Sequence, residues 1–487
     1  MKAGGAAALA RSAFSFPVML ALAITVVICL SCRTRFSDPD TWWHLKVGEA
    51  IWESRSLPQS DQYSYTTNNQ AWIPHEWLGA VSIYAGYHVA GYRGVLLWLW
   101  VFASLLFVLL YVLCCLYSGN AKVSLLGGLA GWFFGTVGLA VRPLVQGYLF
   151  LVVELLLIHL ARTRNRRWLW ALPPLYVVWV NVHGSYMLGL AVLGAYVLSS
   201  FVELRLGLIV SSPWNRDLRR LLCLAFLLCI AALLVNPVGV KLVTYPLDFF
   251  LFSRQSVNIE NVAEWQPLDF RQVRSVALLG VVGTIGLVLL TRQTTLRLDE
   301  LLVFLLGLGM ALRYTRMLFI FGILAAPILC RLLAGLWDYD PNRDNRVANA
   351  VLIPVFVALL ILGFPTASQI DEQVTTNNPA AAVDFIRRTG LKGRMLNQYV
   401  WGGYLIWALP EQKVFIDGRA DVFEWTGVFS EYGRWYGVRE DPNLLLNKYR
   451  IDYCLLIKTA PMAYVLPHLS GWKKIYGDEI AVIFVKQ

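Results

Sequence analysis

Long apolar runs, one after another and almost free of charge, leave this chain few ways to fold. A bilayer's hydrocarbon core holds no water, so each crossing segment must satisfy its own backbone, which a helix of about 20 apolar residues does. Runs of this kind are predicted at 13–32, 94–117, 121–140, 145–161, 168–182, 185–204, 221–236, 275–291, 298–312, 315–335 and 348–364, eleven spans in all. Only 15% of the 487 residues are charged and 57% are hydrophobic. That is too little polar surface to clothe soluble domains, where about 25% charge is usual. A soluble enzyme, a disordered chain and a secreted disulfide scaffold are excluded. Of the eight cysteines, Cys454 alone lies outside the apolar runs. Cys29 and Cys32 have CxxC spacing but lack the second pair that a zinc site needs.

The net charge of +11 reads as topology rather than as a nucleic-acid surface, because basic residues collect in cytoplasmic loops. An eleven-span path with the N-terminus inside puts Lys122, Arg162, Arg164, Arg166, Arg167, Arg205, Arg216, Arg219 and Arg220 in the cytoplasm. Arg292, Arg297, Arg331, Arg343 and Arg346 join them, and Arg142, Arg313 and Arg316 remain outside. The expected setting is the inner (plasma) membrane of a bacterium. Residues 33–93 become a first extracytoplasmic loop, with 77–91 as a helix lying along the interface, since a span there would turn four arginines outward. Residues 236–274 form a second long outer loop. After a membrane domain over 1–365, short apolar runs alternate with helical patterns and predict an extracytoplasmic α/β domain over 366–487. Its strands are expected at 394–397, 414–416, 453–457 and 480–485, and its helices at 379–389, 402–409, 442–449 and 462–469.

Chemistry-bearing residues gather in the outer segments. The first loop opens Ser37-Asp38-Pro39-Asp40-Thr41-Trp42-Trp43-His44-Leu45-Lys46. As plain structure, Asp38 or Asp40 would cap the helix that follows. Two acids beside His44 exceed what a cap requires. A carboxylate held at the interface can serve as a general base, worth about 10²–10⁴ in rate, or hold a metal. Further on, Pro74 marks a helix start and Glu76 sits where the helix dipole favours an anion. His75 and Glu76 are candidates for the same cleft as Asp40.

An arginine embedded in a span costs about 2.5–3.5 kcal/mol, and its planar fork binds phosphate bidentately. Arg142, Arg313 and Arg316 are therefore candidates for gripping the phosphate of a lipid whose tail stays in the bilayer. The plainer readings are snorkelling at the interface or pairing with Glu260 or Glu264. Asn181 and His183, in a polar hairpin, and Glu260 and Glu264, before Trp265, are candidates for lining a polar cavity. In the last domain Trp401-Gly402-Gly403-Tyr404 sets tandem glycines beside aromatics, which lets backbone approach a flat ligand such as a sugar. Asp417 ends an apolar strand, where a tight turn with its own hydrogen bonds is the plainer reading. No phosphate-binding loop, HExxH or GxSxG is present.

The segment Asp40-Thr41-Trp42-Trp43-His44-Leu45-Lys46 resembles the first outer loop of the GT-C superfamily of membrane glycosyltransferases. The stretch 400–404, followed by 414–419, is loosely similar to the acceptor-site motif and next strand of oligosaccharyltransferase catalytic subunits. The resemblance covers the layout of the whole chain but only these short segments by motif. It implies a lipid-phosphate-linked sugar donor, transfer on the extracytoplasmic face, and a catalytic role for Asp40 ahead of Asp38. It also implies an arginine grip on the phosphate, for which Arg313 and Arg316 are suitably placed. The chain departs from the oligosaccharyltransferase pattern in carrying Gly402 after Trp401, where that pattern has an aspartate. It also lacks a second acidic pair after the third span, where Arg142 lies instead. Those departures fit a metal-independent, inverting enzyme with a polyprenyl monophosphate sugar better than one that needs Mg²⁺ or Mn²⁺ and reads a peptide sequon.

The expected reaction has Asp40 deprotonating a glycan, lipid or protein acceptor, with Asp38, His44 or His75 positioning it. Arg142, Arg313 and Arg316 would stabilise the phosphate leaving group. Two other readings stay open. One is an oligosaccharyltransferase or oligosaccharide ligase with a lipid-diphosphate donor, needing a divalent metal if Glu264 is a ligand. The other is a transporter or assembly scaffold for a cell-surface polymer.

Overall fold

Helix occupies the stretches that the apolar pattern marked. The computed structural model describes residues 13–33, 36, 38–67, 69–252, 263–424 and 426–487. In chain order its helices are α1 (Phe16–Ser31), α2 (Asp40–Ser54), α3 (Trp77–Ser118), α4 (Ala121–Gly135), α5 (Leu144–Thr163), α6 (Leu172–Val182) and α7 (Tyr186–Ser199). Then come α8 (Arg216–Ala232), α9 (Val240–Phe252), α10 (Val273–Arg292), α11 (Leu298–Arg313), α12 (Leu318–Leu333) and α13 (Arg346–Gly363). Among the described residues, α3, α5, α10, α13 and Thr315–Leu333, which contains α12, are long and apolar enough to cross a membrane; α1 and α7 are shorter and apolar. Only 6% of the apolar window of α13 is buried by protein, against 83% for Thr315–Leu333. Apolar surface that protein leaves uncovered is surface for lipid, so α13 lies outside and α12 at the centre. There α12 meets α4 through small residues: a Cβ on Gly322 would stand 3.4 Å from the Gly131 Cα. Membrane helices use such close approach where no hydrophobic force drives them together.

The expected interfacial helix is the first arm of α3. Ala90 (φ −147°) and Gly91 (φ 58°, ψ −145°) break the element. Residues eight apart in a straight helix are separated by about 12 Å. Here a Cβ on Gly86 would meet the Gly94 carbonyl carbon at 3.2 Å, so the chain doubles back. Gly91 permits this because without a Cβ a positive φ is cheap. The arm is tied to the span by the Trp98 Nε1–H, which donates to Ser82 Oγ at 3.1 Å. Its other side receives α2, where Gly48 leaves no room for a side chain against Ala80 and Tyr84.

Small strands β1 (Leu204–Leu206), β2 (Ile209–Ser211) and β3 (Leu296–Arg297) pair in loops beyond α7 and before α11. The last part of the chain holds β4 (Met395–Asn397), β5 (Tyr453–Ile457), β6 (Trp472–Gly477) and β7 (Ala481–Lys486), in the order β4-β5-β7-β6. Its helices are α14 (Ala367–Asn377), α15 (Ala380–Thr389), α16 (Gly402–Ala408), α17 (Ala420–Glu424), α18 (Val428–Tyr436), α19 (Pro442–Lys448) and α20 (Pro461–Val465). Strand β4 runs parallel to β5, and the other pairs are antiparallel. The expected strand at 414–416 does not join this sheet. Val414 instead donates to the Tyr63 carbonyl at 3.0 Å and accepts from Tyr65 N–H at 3.2 Å, and the Asn397 side chain occupies Phe415 N–H at 2.8 Å. Strand β6 was not foreseen, because Lys473 and Lys474 interrupt its apolar run; lysines are a usual guard on an exposed sheet edge.

Gly402 and Gly403 do not face a ligand, contrary to the sugar-platform expectation. A Cβ on Gly403 would strike the Pro39 carbonyl, and one on Gly402 would strike Ile416 and Asp417. The close approach is between the C-terminal domain and the chain entering α2. Trp401 and Tyr404 are buried in the same contact, with the Tyr404 ring 5.1 Å from that of Trp42, edge to face. Asp417 is fully buried and binds Arg419 Nε at 2.8 Å and Nη2 at 2.6 Å. Arg419 Nη1 reaches Asp61 of the first loop at 2.7 Å. Removing one member of such a set strands the others as buried charge. Arg419→Leu is expected to destabilise the protein by about 3–5 kcal/mol, read as a lowered unfolding temperature of the purified protein in detergent.

Candidate active site

Each charged group at the head of α2 is placed by the chain around it. The Asp38 carboxylate accepts the Asp40 backbone N–H at 3.0 Å, so the capping role falls to Asp38 and the Asp40 side chain is released from it. Trp43 lies one turn on, and i, i+3 neighbours share a helix face. Its Nε1–H donates to Asp40 Oδ1 at 3.1 Å. The other Asp40 oxygen stands 3.2 Å from Arg142 Nη1. Arg142 sits just before α5, its Nε–H shared between the two Asp38 oxygens at 2.8 and 2.9 Å, and its Nη1 is 3.6 Å from Glu264. Glu264 is itself shared: Arg316 Nη1 approaches at 3.3 Å, with the Arg316 guanidinium 4.3 Å from the centre of the Trp265 ring. Burial pushes the Asp40 carboxyl up to about 7, the Arg142 guanidinium pulling against it and the Asp38 charge adding to the rise. Burial also works against the Arg142 cation, but Asp40, Asp38 and Glu264 outweigh it and hold its pKa well above the ordinary value.

A second cluster adjoins the first. Glu76 precedes α3 yet makes no capping bond. Its carboxylate turns instead to three imidazoles, His183 Nε2 at 3.1 Å, His44 Nε2 at 3.3 Å and His75 Nε2 at 3.7 Å. The Ser185 backbone N–H donates to His183 Nδ1 at 3.0 Å, which leaves the imidazole proton on Nε2, toward Glu76. Burial raises the Glu76 carboxyl and lowers His44 and His183 well below the ordinary imidazole value. Those two rings are uncharged at neutral pH.

Both clusters border one cavity of about 650 Å³. Its polar wall is Asp40, His44, His75, Glu76, Arg142, His183, Glu264 and Arg316; its apolar wall comes from bundle helices, with Leu144, Leu188, Leu306, Met310 and Ile320. From the far side the C-terminal domain adds Tyr399 and Gly418, and any side chain at Gly418 would collide with the Asp40 carboxylate. Asp38 joins through Arg142. Arg313 stays outside: it is exposed, and its Nε donates to Tyr314 at 3.0 Å. Asn181 is consumed by structure, accepting from Trp77 Nε1–H at 2.9 Å and donating to the Val177 and Val235 carbonyls. Trp401, Tyr404 and Asp417 do not border the cavity, and Glu260 lies outside the described residues. Sequence reasoning overlooked Trp43 as the residue holding Asp40, although its i+3 spacing carried that signal. It also overlooked Tyr245, whose ring stacks on His75 at 4.5 Å, and Tyr399; no local pattern marked either.

Comparisons place the fold. Protein-family models and curated protein sequences give no match. Among solved structures, ArnT from Cupriavidus metallidurans, bound to undecaprenyl phosphate, aligns with a TM-score of 0.53 at 15% identity, over 96% of this chain and 97% of its own. The oligosaccharyltransferase of Archaeoglobus fulgidus, tethered to an acceptor peptide with an NVT sequon, aligns at 0.56 and 11%, over 92% and 70%. The archaeal oligosaccharyltransferase AglB from Archaeoglobus fulgidus, in complex with an inhibitory peptide and a dolichol-phosphate, aligns at 0.53 and 10%, over 90% and 69%. This chain has the GT-C fold. Its apolar helices are those of an integral membrane protein.

Proposed function

We propose that this protein is a membrane glycosyltransferase that moves a sugar from a polyprenyl-phosphate donor to an acceptor hydroxyl on the extracytoplasmic face. One observation carries the reading: the Asp40 carboxylate and the guanidinium groups of Arg142 and Arg316 border the same cavity, whose other wall is apolar helix. A lipid phosphate has that pairing of charge and hydrocarbon, and structures of this fold hold undecaprenyl phosphate and a dolichol-phosphate. Two guanidinium groups match the charge of a monophosphate. The excess of arginine in the loops assigned to the cytoplasm supports the face.

In this reaction Asp40 takes the proton of the acceptor hydroxyl as its oxygen attacks the anomeric carbon. The bond from that carbon to the phosphate oxygen breaks, the electron pair leaves with the lipid phosphate, and the anomeric configuration inverts. Arg142 and Arg316 meet the charge that develops on the phosphate, where preorganised donors act most strongly. Glu264 occupies both arginines beforehand and is a third exposed, so it is the partner that yields. Mg²⁺ or Mn²⁺ was the alternative aid to this step. Among the described residues no three His, Cys, Asp or Glu side chains are arranged to hold a metal ion, and Asp38, Asp40 and Glu264 all address Arg142.

With radiolabelled lipid donors, Asp40→Asn is expected to cut turnover by about 10²–10⁴; undiminished transfer removes Asp40 as base. A base works deprotonated, so kcat/KM should rise with pH and level off near the Asp40 value of about 7, falling about tenfold per pH unit below it. A flat profile from pH 5 to 8, on the order of three units, contradicts the assignment. Arg316→Leu should lower kcat/KM by roughly 10²-fold, whereas Arg313→Leu, altering a residue outside the cavity, should leave it unchanged.

A further inference from the structure

The proton transfer and phosphate binding proposed above leave the Glu76 cluster without an assigned role, and Glu76 makes no helix-capping bond. Four titratable side chains from three separate segments meet at it: His44 on α2, His75 and Glu76 before α3, and His183 between α6 and α7. Burying a carboxylate is costly unless its oxygens are served. His183 serves Oε1 and His44 serves Oε2. The Nδ1 atoms of His44 and His75 are buried without a hydrogen-bond partner, and His75 Nε2, 3.7 Å from Oε1, stands too far off to occupy a lone pair. A metal is not the occupant these side chains suit, because the imidazoles converge on the glutamate itself.

What remains open is the carboxylate. The Glu76 side chain keeps 13% of its exposure, His183 15% and His75 24%, and all three border the cavity. Each carboxylate oxygen has two lone pairs, and a single imidazole N–H uses only one of them. Glu76 borders the cavity, and the lone pairs left on its two oxygens can accept hydrogen bonds from two neighbouring hydroxyl groups. Such a pair of hydroxyls is what a sugar ring presents. The position is also right for a sugar joined to the phosphate, since Arg142 and Arg316 both lie near enough to lower the Glu76 carboxyl.

We infer that Glu76, held in plane by His44 and His183, is the subsite that grips neighbouring hydroxyls of the donor sugar, and that it refuses sugars carrying a carboxylate. This rests on the lipid-donor reading above. Glu76 touches the substrate, whereas His44 and His183 are positioning residues.

The test measures binding of lipid probes to the full-length protein in nanodiscs, so that it does not depend on turnover. The probes are undecaprenyl phosphate alone and undecaprenyl phosphate bearing glucose, galactose, mannose, arabinose or glucuronic acid. At least one neutral sugar should tighten binding about tenfold over the bare lipid, the size of one or two buried hydrogen bonds, and glucuronic acid should give no gain. Glu76→Gln should erase the gain while the bare lipid still binds within about twofold, which also shows that the variant is folded. Glu76→Asp keeps the charge but withdraws the carboxylate by one methylene, and should lose most of the gain as well. His183→Phe should reduce the gain without shifting bare-lipid binding. If no neutral sugar improves on the bare lipid, or if Glu76→Gln keeps the full gain, the subsite is overturned while the lipid site stands. If the wild-type protein does not bind undecaprenyl phosphate at all, the donor reading fails and this inference falls with it.

Discussion

Arg142 is the group on which the geometry of the site depends. A guanidinium beside a helix bundle is costly unless it is paired, and here three carboxylates from two separate loops gather on it: Asp38, Asp40 and Glu264. The cation therefore fixes the first loop, the head of α5 and the loop before α10 with respect to one another. Asp38 supplies both the capping bond to α2 and the closest contact with Arg142, which leaves Asp40 in contact with the cation but less bound to it. Carboxylates in excess of one cation, in a place sheltered from bulk water, raise the remaining acid toward neutrality. The interaction that organises the structure also sets Asp40 in the range where a general base is useful.

The helix that carries Asp40 is clasped from both sides by contacts too tight for side chains. Gly48 seats it against the folded-back arm of α3, and Gly403 and Gly418 seat the C-terminal domain against Pro39 and Asp40. Arg419 locks the same domain to Asp61 of the first loop. The C-terminal domain is thus a wall of the cavity, and its close approach at Gly418 confines the Asp40 carboxylate.

Much of this was legible in the sequence because it follows from periodicity and charge. The apolar runs carry the helices, Asp38 and Asp40 stand out as more acid than a cap needs, and Arg142 before Pro143 stands out as a guanidinium on the outer side, for which pairing with Glu264 was one of the plainer readings. What stayed hidden depends on contacts between distant segments. Arg313 and Arg316 are alike in sequence, yet one turn of backbone sends Arg313 to Tyr314 at the surface and Arg316 into the cavity. The glycines at 402 and 403 announce a close approach without saying to what, and the partner proved to be the chain's own Pro39. Asp417 looked like a strand-end functional group, but its charge is spent on an arginine two residues on. No local pattern could gather His44, His75 and His183 around Glu76, since they come from three segments brought together only by the bundle.

The two clusters divide the labour along the cavity. Around Arg142 three carboxylates gather on one guanidinium at different distances. Glu264 touches Arg142 at 3.6 Å and Arg316 at 3.3 Å, looser than the 2.8 Å grip of Asp38, so in the proposed reaction Glu264 is the partner a phosphate would replace, leaving in place the bond that positions α2. Around Glu76, burial holds the His44 and His183 rings well below the ordinary imidazole value, and on the reading proposed above the carboxylate offers its lone pairs to hydroxyl donors. On the reading proposed above, the arginine end takes the phosphate, the apolar wall the hydrocarbon and the Glu76 end the sugar, so that a lipid donor enters in one orientation.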